Sequence, residues 1–157
     1  MKKQHIWAVL ILVILVVAVG AAIAIMPNQA RDSAAARSLV EEFGGQLQHV
    51  SLLSPEDTLK SDIQSAYAPY VTSDLMQMWL TDPRHAPGRE TSSPWPDRIE
   101  ISSIAQQGSG YVATGNIVMK TSEGDADSQP VVIQVLRENG AWKIAAFQIG
   151  QSARSAD

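Results

Sequence analysis

From Ile6 to Met26 the chain runs for 21 residues without one charged or strongly polar side chain. No other feature limits the fold as much. At about 1.5 Å of rise per residue, a helix of that length extends roughly 31 Å, the thickness of a bilayer's hydrocarbon core. A helix packed on a water-soluble core keeps a polar stripe, and this run has none. Trp7 stands at one end, where interfacial aromatics sit, and Pro27 closes the other, followed by Asn28, Gln29, Arg31 and Asp32. The sequence therefore predicts a transmembrane helix over 6–26, a signal anchor in contact with membrane lipid. The competing reading is a cleaved signal peptide, with Lys2 and Lys3 as its basic head and Ala22-Ile23-Ala24 as a small-x-small site. Secretory hydrophobic regions run about 7–15 residues, so the length favours the anchor. On either reading the rest of the chain crosses the membrane, and Lys2 and Lys3 hold residues 1–5 in the cytoplasm. The expected placement is a single-pass protein of the cell membrane with its C-terminal domain extracytoplasmic.

With Lys2 and Lys3 set aside, 10 Lys and Arg face 16 Asp and Glu, leaving −6 on the remainder. A nucleic-acid partner would need a basic face to displace counterions, so none is expected. The absence of cysteine removes disulfides, thiolate nucleophiles, cysteine-bound metals and a lipid-bearing cysteine at a cleavage point.

Beyond a short polar tether over 27–33, the domain expected over 34–150 changes its periodicity once. Leu39, Val40, Phe43, Leu47 and Val50 recur at helical spacing, with Gly44-Gly45 marking a kink or a close helix–sheet approach. Ser54-Pro55-Glu56-Asp57 reads as a helix start, with Ser54 as cap, and Leu59, Ile63, Ala66 and Tyr67 as the apolar stripe up to Pro69. A third, short helix is predicted from Asp74 to Thr81, capped by Ser73 and stopped before Pro83. Pro83 to Pro96, with four prolines, reads as a loop. From Arg98 the period becomes two: strands are expected around Ile99 and Ile101, over Tyr111–Lys120, over Val131–Glu138 and over Ala141–Ile149. Asn139-Gly140 predicts a type I′ hairpin between the last two. Residues 151–157 read as a flexible tail. The fold class is α+β, about three helices on a curved antiparallel sheet of about four strands.

That order of elements resembles the nuclear-transport-factor-2-like superfamily. The most specific stretch is Val135-Leu136-Arg137-Glu138-Asn139-Gly140-Ala141-Trp142-Lys143-Ile144, which is similar to the family's closing hairpin. The resemblance covers about Ala34 to Ile149 and implies a cone-like domain. With an anchor in front, the chain also resembles the extracytoplasmic domains of type IV secretion and conjugation assembly factors. Members include enzymes, binding proteins and scaffolds, so function has to come from the site.

Enzymes of the superfamily, such as ketosteroid isomerase and scytalone dehydratase, place Asp, His or Tyr inside the cone, where burial tunes proton transfer. Here no predicted strand interior carries Asp, Glu or His between apolar neighbours; Glu100 lies on the face opposite Ile99 and Ile101. His49 and His85 lack a converging ligand set, and Glu123, Asp125 and Asp127 lack the glycine and distal glutamate of a calcium loop. No catalytic residue, metal or cofactor is expected. Tyr111, Gln134 and Gln148 are the polar candidates for ligand binding inside the cone, and they suit orientation better than proton transfer. Arg84, Arg89, Trp95 and Arg98 on the proline-rich loop are the candidates for partner binding, since proline lowers the cost of ordering an anchor residue. The competing reading has Trp95 plugging the cone and the arginines solvated or paired with Glu90 and Asp97. The preferred function is a non-catalytic binding or assembly module with an envelope protein partner. The alternative is an enzyme or small-molecule sensor using the cone pocket. A homodimer through the outer sheet face is also expected, because Val131–Leu136 is apolar on both faces.

Overall fold

The computed structural model describes residues 29–150. The predicted anchor over 6–26 and the tail over 151–157 lie outside the described residues. Among the described residues no helix is long and apolar enough to cross a membrane. The chain divides into two compact units, Met1–Ala34 and Ala35–Asp157. In the first, the described residues 29–34 are helical.

Helix α1 covers 29–46 and tightens into a 3-10 turn over Leu47–His49. It begins well before Leu39, through residues read as tether, because Ala30, Ala34, Ala35 and Ala36 favour helix whether or not they pack. Ala36, Val40, Phe43, Leu47 and Val50 are fully buried, a spacing of three and four that makes one stripe. Gly44 does not kink the helix. A Cβ there would lie 2.5 Å from the Ile99 backbone nitrogen, so the glycine lets α1 lie close against the sheet.

Helix α2 is Glu56–Tyr67 and helix α3 is Ser73–Thr81. Both start differently from expectation. Pro55 stands at the N-cap of α2 with no side-chain cap, while Ser54 closes a turn onto Ser51 (N to O, 3.1 Å). Thr72, not Ser73, caps α3, its Oγ1 accepting from the Leu75 N–H at 3.3 Å. The hydroxyl that caps must precede the first helical residue, and Ser73 is already inside. Glu56 and Asp57 favour the positive end of α2.

Strands β1 (Trp95–Gln107), β2 (Gly110–Thr121), β3 (Gly124–Glu138) and β4 (Ala141–Ile149) form an antiparallel meander in sequence order. Asn139 and Gly140, with φ of 51° and 83°, turn the last hairpin as a type I′ turn requires. One sheet face carries Ile99, Tyr111, Ala113, Ile117, Ile133 and Val135, which pack with the helices as a single core. Strand β4 carries a bulge, since Gln134 pairs with Ala146 but Val135 pairs with Ile144. The extra residue, Ala145, turns both Ile144 and Phe147 to the core, which strict alternation forbids. Beside it, Ile144 donates to the Tyr70 carbonyl at 2.8 Å and accepts from the Thr72 N–H at 2.9 Å, so residues 70–72 cover that part of the outer edge.

Strand β3 starts seven residues earlier than its apolar pattern predicts. Glu123, Asp125 and Asp127 belong to the β2–β3 hairpin and its flanking strand, not to a free loop. Pro130 is tolerated because β4 ends at Ile149, opposite Val131. The Pro130 carbonyl accepts from the Gly150 N–H at 2.8 Å, so its nitrogen points to the same side, where no further ladder bond is needed. From Gly124 to Pro130, β3 therefore has a neighbouring strand on one side only among the described residues, apart from the Pro130–Gly150 bond.

Candidate functional site

The helices do not cover the sheet evenly. Toward the β3–β4 hairpin, an aromatic cluster fills the space between helices and sheet: Phe43 lies 4.9 Å from Tyr67, 6.3 Å from Trp79 and 5.6 Å from Phe147, ring centroid to centroid. Toward the other end, the proline-rich segment takes over as the cover and a cavity of about 380 Å³ remains. Its sheet side is Ile117 and Met119 of β2, Gln129 of β3 and Ile149 of β4. Leu47 and Leu52 form a second wall. The cover supplies Pro87, Pro94 and Pro96, and Arg84, His85, Glu90 and Thr91 bring polar groups to the mouth.

Named bonds hold the cover in place. After α3 the chain makes a 3-10 turn over Pro83–His85, then runs beside residues 50–52. Arg89 N–H donates to the Val50 carbonyl at 2.8 Å, and Leu52 N–H donates to the Arg89 carbonyl at 2.9 Å. The buried Tyr67 hydroxyl donates to the Pro87 carbonyl at 2.7 Å. Burial pushes that phenol well above its ordinary range, so it remains a donor. Thr91 Oγ1 bonds the Pro94 carbonyl at 2.9 Å, across a cis Ser93–Pro94 peptide. The prolines that exclude helix thus end in an ordered cover, not an open coil.

The ligand-binding candidates do not come together. Tyr111 pairs with Val135 on the inner face, buried with its ring 5.3 Å from Trp142. Gln134 pairs with Val112 and Gln148 with Val132, both on the opposite face. A register has only two faces, and neighbouring pairs take alternate ones. None of the three lines the cavity.

Of the partner-binding candidates, Arg84 alone lines the cavity, and its Nη1 donates to the Leu52 carbonyl. Arg89 contributes backbone bonds. Trp95 opens β1 opposite Lys120, half-buried, while its neighbours Pro94 and Pro96 face the cavity. Arg98 is committed elsewhere: its Nη2 reaches Asp125 at 2.8 Å and Glu100 at 2.6 Å, and its Nη1 reaches Asp97 at 3.1 Å. The hydrogen bonds it donates to those carboxylates hold its guanidinium even more firmly protonated, and Arg98 in turn holds Asp125 below the usual carboxylate range. This cluster ties β1 to the β2–β3 hairpin.

Comparison with protein-family models, with curated proteins and with solved structures gives no match to this chain. The site's chemistry must therefore carry the reading. Hydrocarbon and one thioether line the sheet side of the cavity, with Gln129 the single amide there. The ionisable groups stand at the mouth: Arg84 and Glu90 are exposed, and exposed His85 is joined to Asp82, Nδ1 to Oδ2, at 2.7 Å. Among the described residues no group of three His, Asp or Glu is arranged to hold a metal ion. Strand alternation alone puts Ile117 and Met119 on one face of β2 with Tyr111 and Ala113. The ionisable groups of the site belong to the cover and not to strand centres, where they would have shown in the alternation.

Proposed function

We propose that this chain is a membrane-anchored, extracytoplasmic binding module without catalytic activity, and that it binds through the cavity beneath the 83–96 segment. The observation that carries this reading is the separation of chemistry within one cavity, with apolar side chains on the sheet side and ionisable ones at the mouth. Such a division excludes water from an apolar body and orients its polar end, as ligand sites do. Proton transfer needs an acid or base touching the reacting atom with a tuned pKa. Ile117, Met119 and Ile149 offer none, and the mouth groups stand in solvent.

The domain type we propose is nuclear-transport-factor-2-like. Three helices ahead of a four-stranded meander support it, as does the hairpin closed by Asn139-Gly140 and re-entered through Trp142. Residues 6–26 would confine the module to the cell membrane with its N-terminus in the cytoplasm. Its occupant would then be an envelope protein or a small ligand of that compartment.

The test is photocrosslinking of the full-length chain in its native membrane. A photoreactive residue at Thr91, on the mouth, is compared with one at Ser65, exposed on α2. The expected result is a captured species from position 91, absent from position 65 and abolished by Met119→Trp, which fills the cavity. Equal labelling from both positions, or labelling from 91 that survives Met119→Trp, overturns the reading. Protease added to intact cells should remove the domain; protection from it overturns the proposed topology.

A further inference from the structure

Several charged groups around this fold are matched in ion pairs. Arg98 holds three carboxylates, Lys120 reaches Asp97 at 3.7 Å, Lys60 reaches Glu56 at 2.5 Å, and Arg37 reaches Glu41 at 3.6 Å. Arg84 and Glu90 are set apart by where they stand. Both line the same cavity, yet neither enters an ion pair, with each other or with another described residue. Arg84 is not loose, since its bond to the neutral Leu52 carbonyl orients the guanidinium, and its charge is felt by Glu56 without forming an ion pair with it. One mouth therefore presents a positioned cation and a separate anion above an apolar interior.

We propose that the cavity takes a small zwitterion with an apolar side chain, of the class of the hydrophobic α-amino acids. This rests on the cavity being the binding site. The carboxylate of such a ligand meets Arg84, which has donors to spare and a planar geometry suited to a carboxylate. The ammonium meets Glu90. The apolar side chain lies over Ile117, Met119 and Ile149, and Thr91 at the mouth and Gln129 on the sheet side offer neutral hydrogen-bonding groups. A simple acid would leave Glu90 facing its carboxylate, and a simple amine would leave Arg84 facing its ammonium. Each loses one charge-assisted contact and meets one like charge. The volume, about 380 Å³, lies at the small end of ligand sites and suits a single residue better than a peptide.

Three probes with a common body test this: L-phenylalanine, 3-phenylpropionate and phenethylamine. Each is titrated into the full-length protein in lipid nanodiscs, following the methyl resonances of Ile117, Met119 and Ile149, a readout confined to the cavity. L-Phenylalanine is expected to shift them saturably, with the other two at least about ten-fold weaker, the loss of one charge-assisted bond. Arg84→Gln should bring L-phenylalanine down to the level of phenethylamine while leaving phenethylamine no weaker, which shows the cavity still folded. Glu90→Gln should do the converse with 3-phenylpropionate. Equal affinity for all three overturns the zwitterion and leaves the binding cavity standing. No shift with any probe overturns the inference as well, whereas the wider reading falls only on the crosslinking result.

Discussion

The two ends of the sheet are made from similar strands and covered in different ways. At one end α1, α2 and α3 close on Phe43, Tyr67, Trp79 and Phe147, whose rings interlock with little room between them. At the other the cover is a proline-rich segment hung on backbone bonds from residues 50–52 and from Tyr67. A helix brings a side chain to the sheet every three or four residues, so its stripe fills a gap. A segment that spends its residues on turns and rigid φ angles cannot, and space is left beneath it. Stability and binding capacity are thus divided between the two ends.

Substitutions that break this division should rank accordingly. Phe43→Ala, at the packed end, is expected to cost about 3–5 kcal/mol in denaturant unfolding, because the ring meets four other aromatics and the void cannot collapse. Gly44→Ala should follow at about 1–3 kcal/mol, since its Cβ forces α1 away from Ile99. Thr72→Ala, which removes the α3 cap, should lower stability by about 1 kcal/mol, with Thr72→Ser recovering most of it. Met119→Ala, at the open end, should also cost only about 1 kcal/mol, because the side chain is half-buried against a space already there. A loss as large as that of Phe43→Ala would show the two ends to be packed alike.

The smallest effect concerns pH. Asp125 titrates below its ordinary value because Arg98 hydrogen-bonds its charged form. A carboxyl depressed in the folded state stabilises above its unfolded pKa, and loses that contribution as pH falls through the folded one. Thermal unfolding should therefore show a slight extra loss of stability below about pH 4, absent in Asp125→Asn. The groups are exposed, so about 1 M salt should largely erase the difference between the two proteins.

Much of the α+β order was readable because its signals are local. The stripe Val40, Phe43, Leu47 and Val50, the limits Ala141 and Ile149, and the Asn139-Gly140 turn each depend on a few neighbouring residues. What the sequence concealed depends on distant partners. Asp125, Asp127 and Pro130 argue against a strand until it is known that β4 stops at Ile149 and leaves that stretch a single neighbour. The bulge at Ala145 defeats any face assignment based on alternation, and so misplaced Gln148 beside the core. The cavity was least legible of all. Its interior comes from residues far apart in the chain, and its existence reflects where a cover fails to fill, which leaves no mark in local pattern.

Among the described residues no strand pairs with the outer side of Gly124–Pro130, which bears on life in a crowd. Molecules anchored in one plane, as proposed here, meet each other more often and at fewer angles than molecules free in solution. A bare strand would let them zip together side by side into ribbons. In this stretch Pro130 offers no donor, and the Ser128 N–H is already taken at 2.7 Å by the carboxylate of Asp127. Charge from exposed Asp127 adds repulsion between approaching copies, while that of Asp125 is paired with Arg98. The same residues that obscured the strand in the sequence keep neighbours from templating on this stretch.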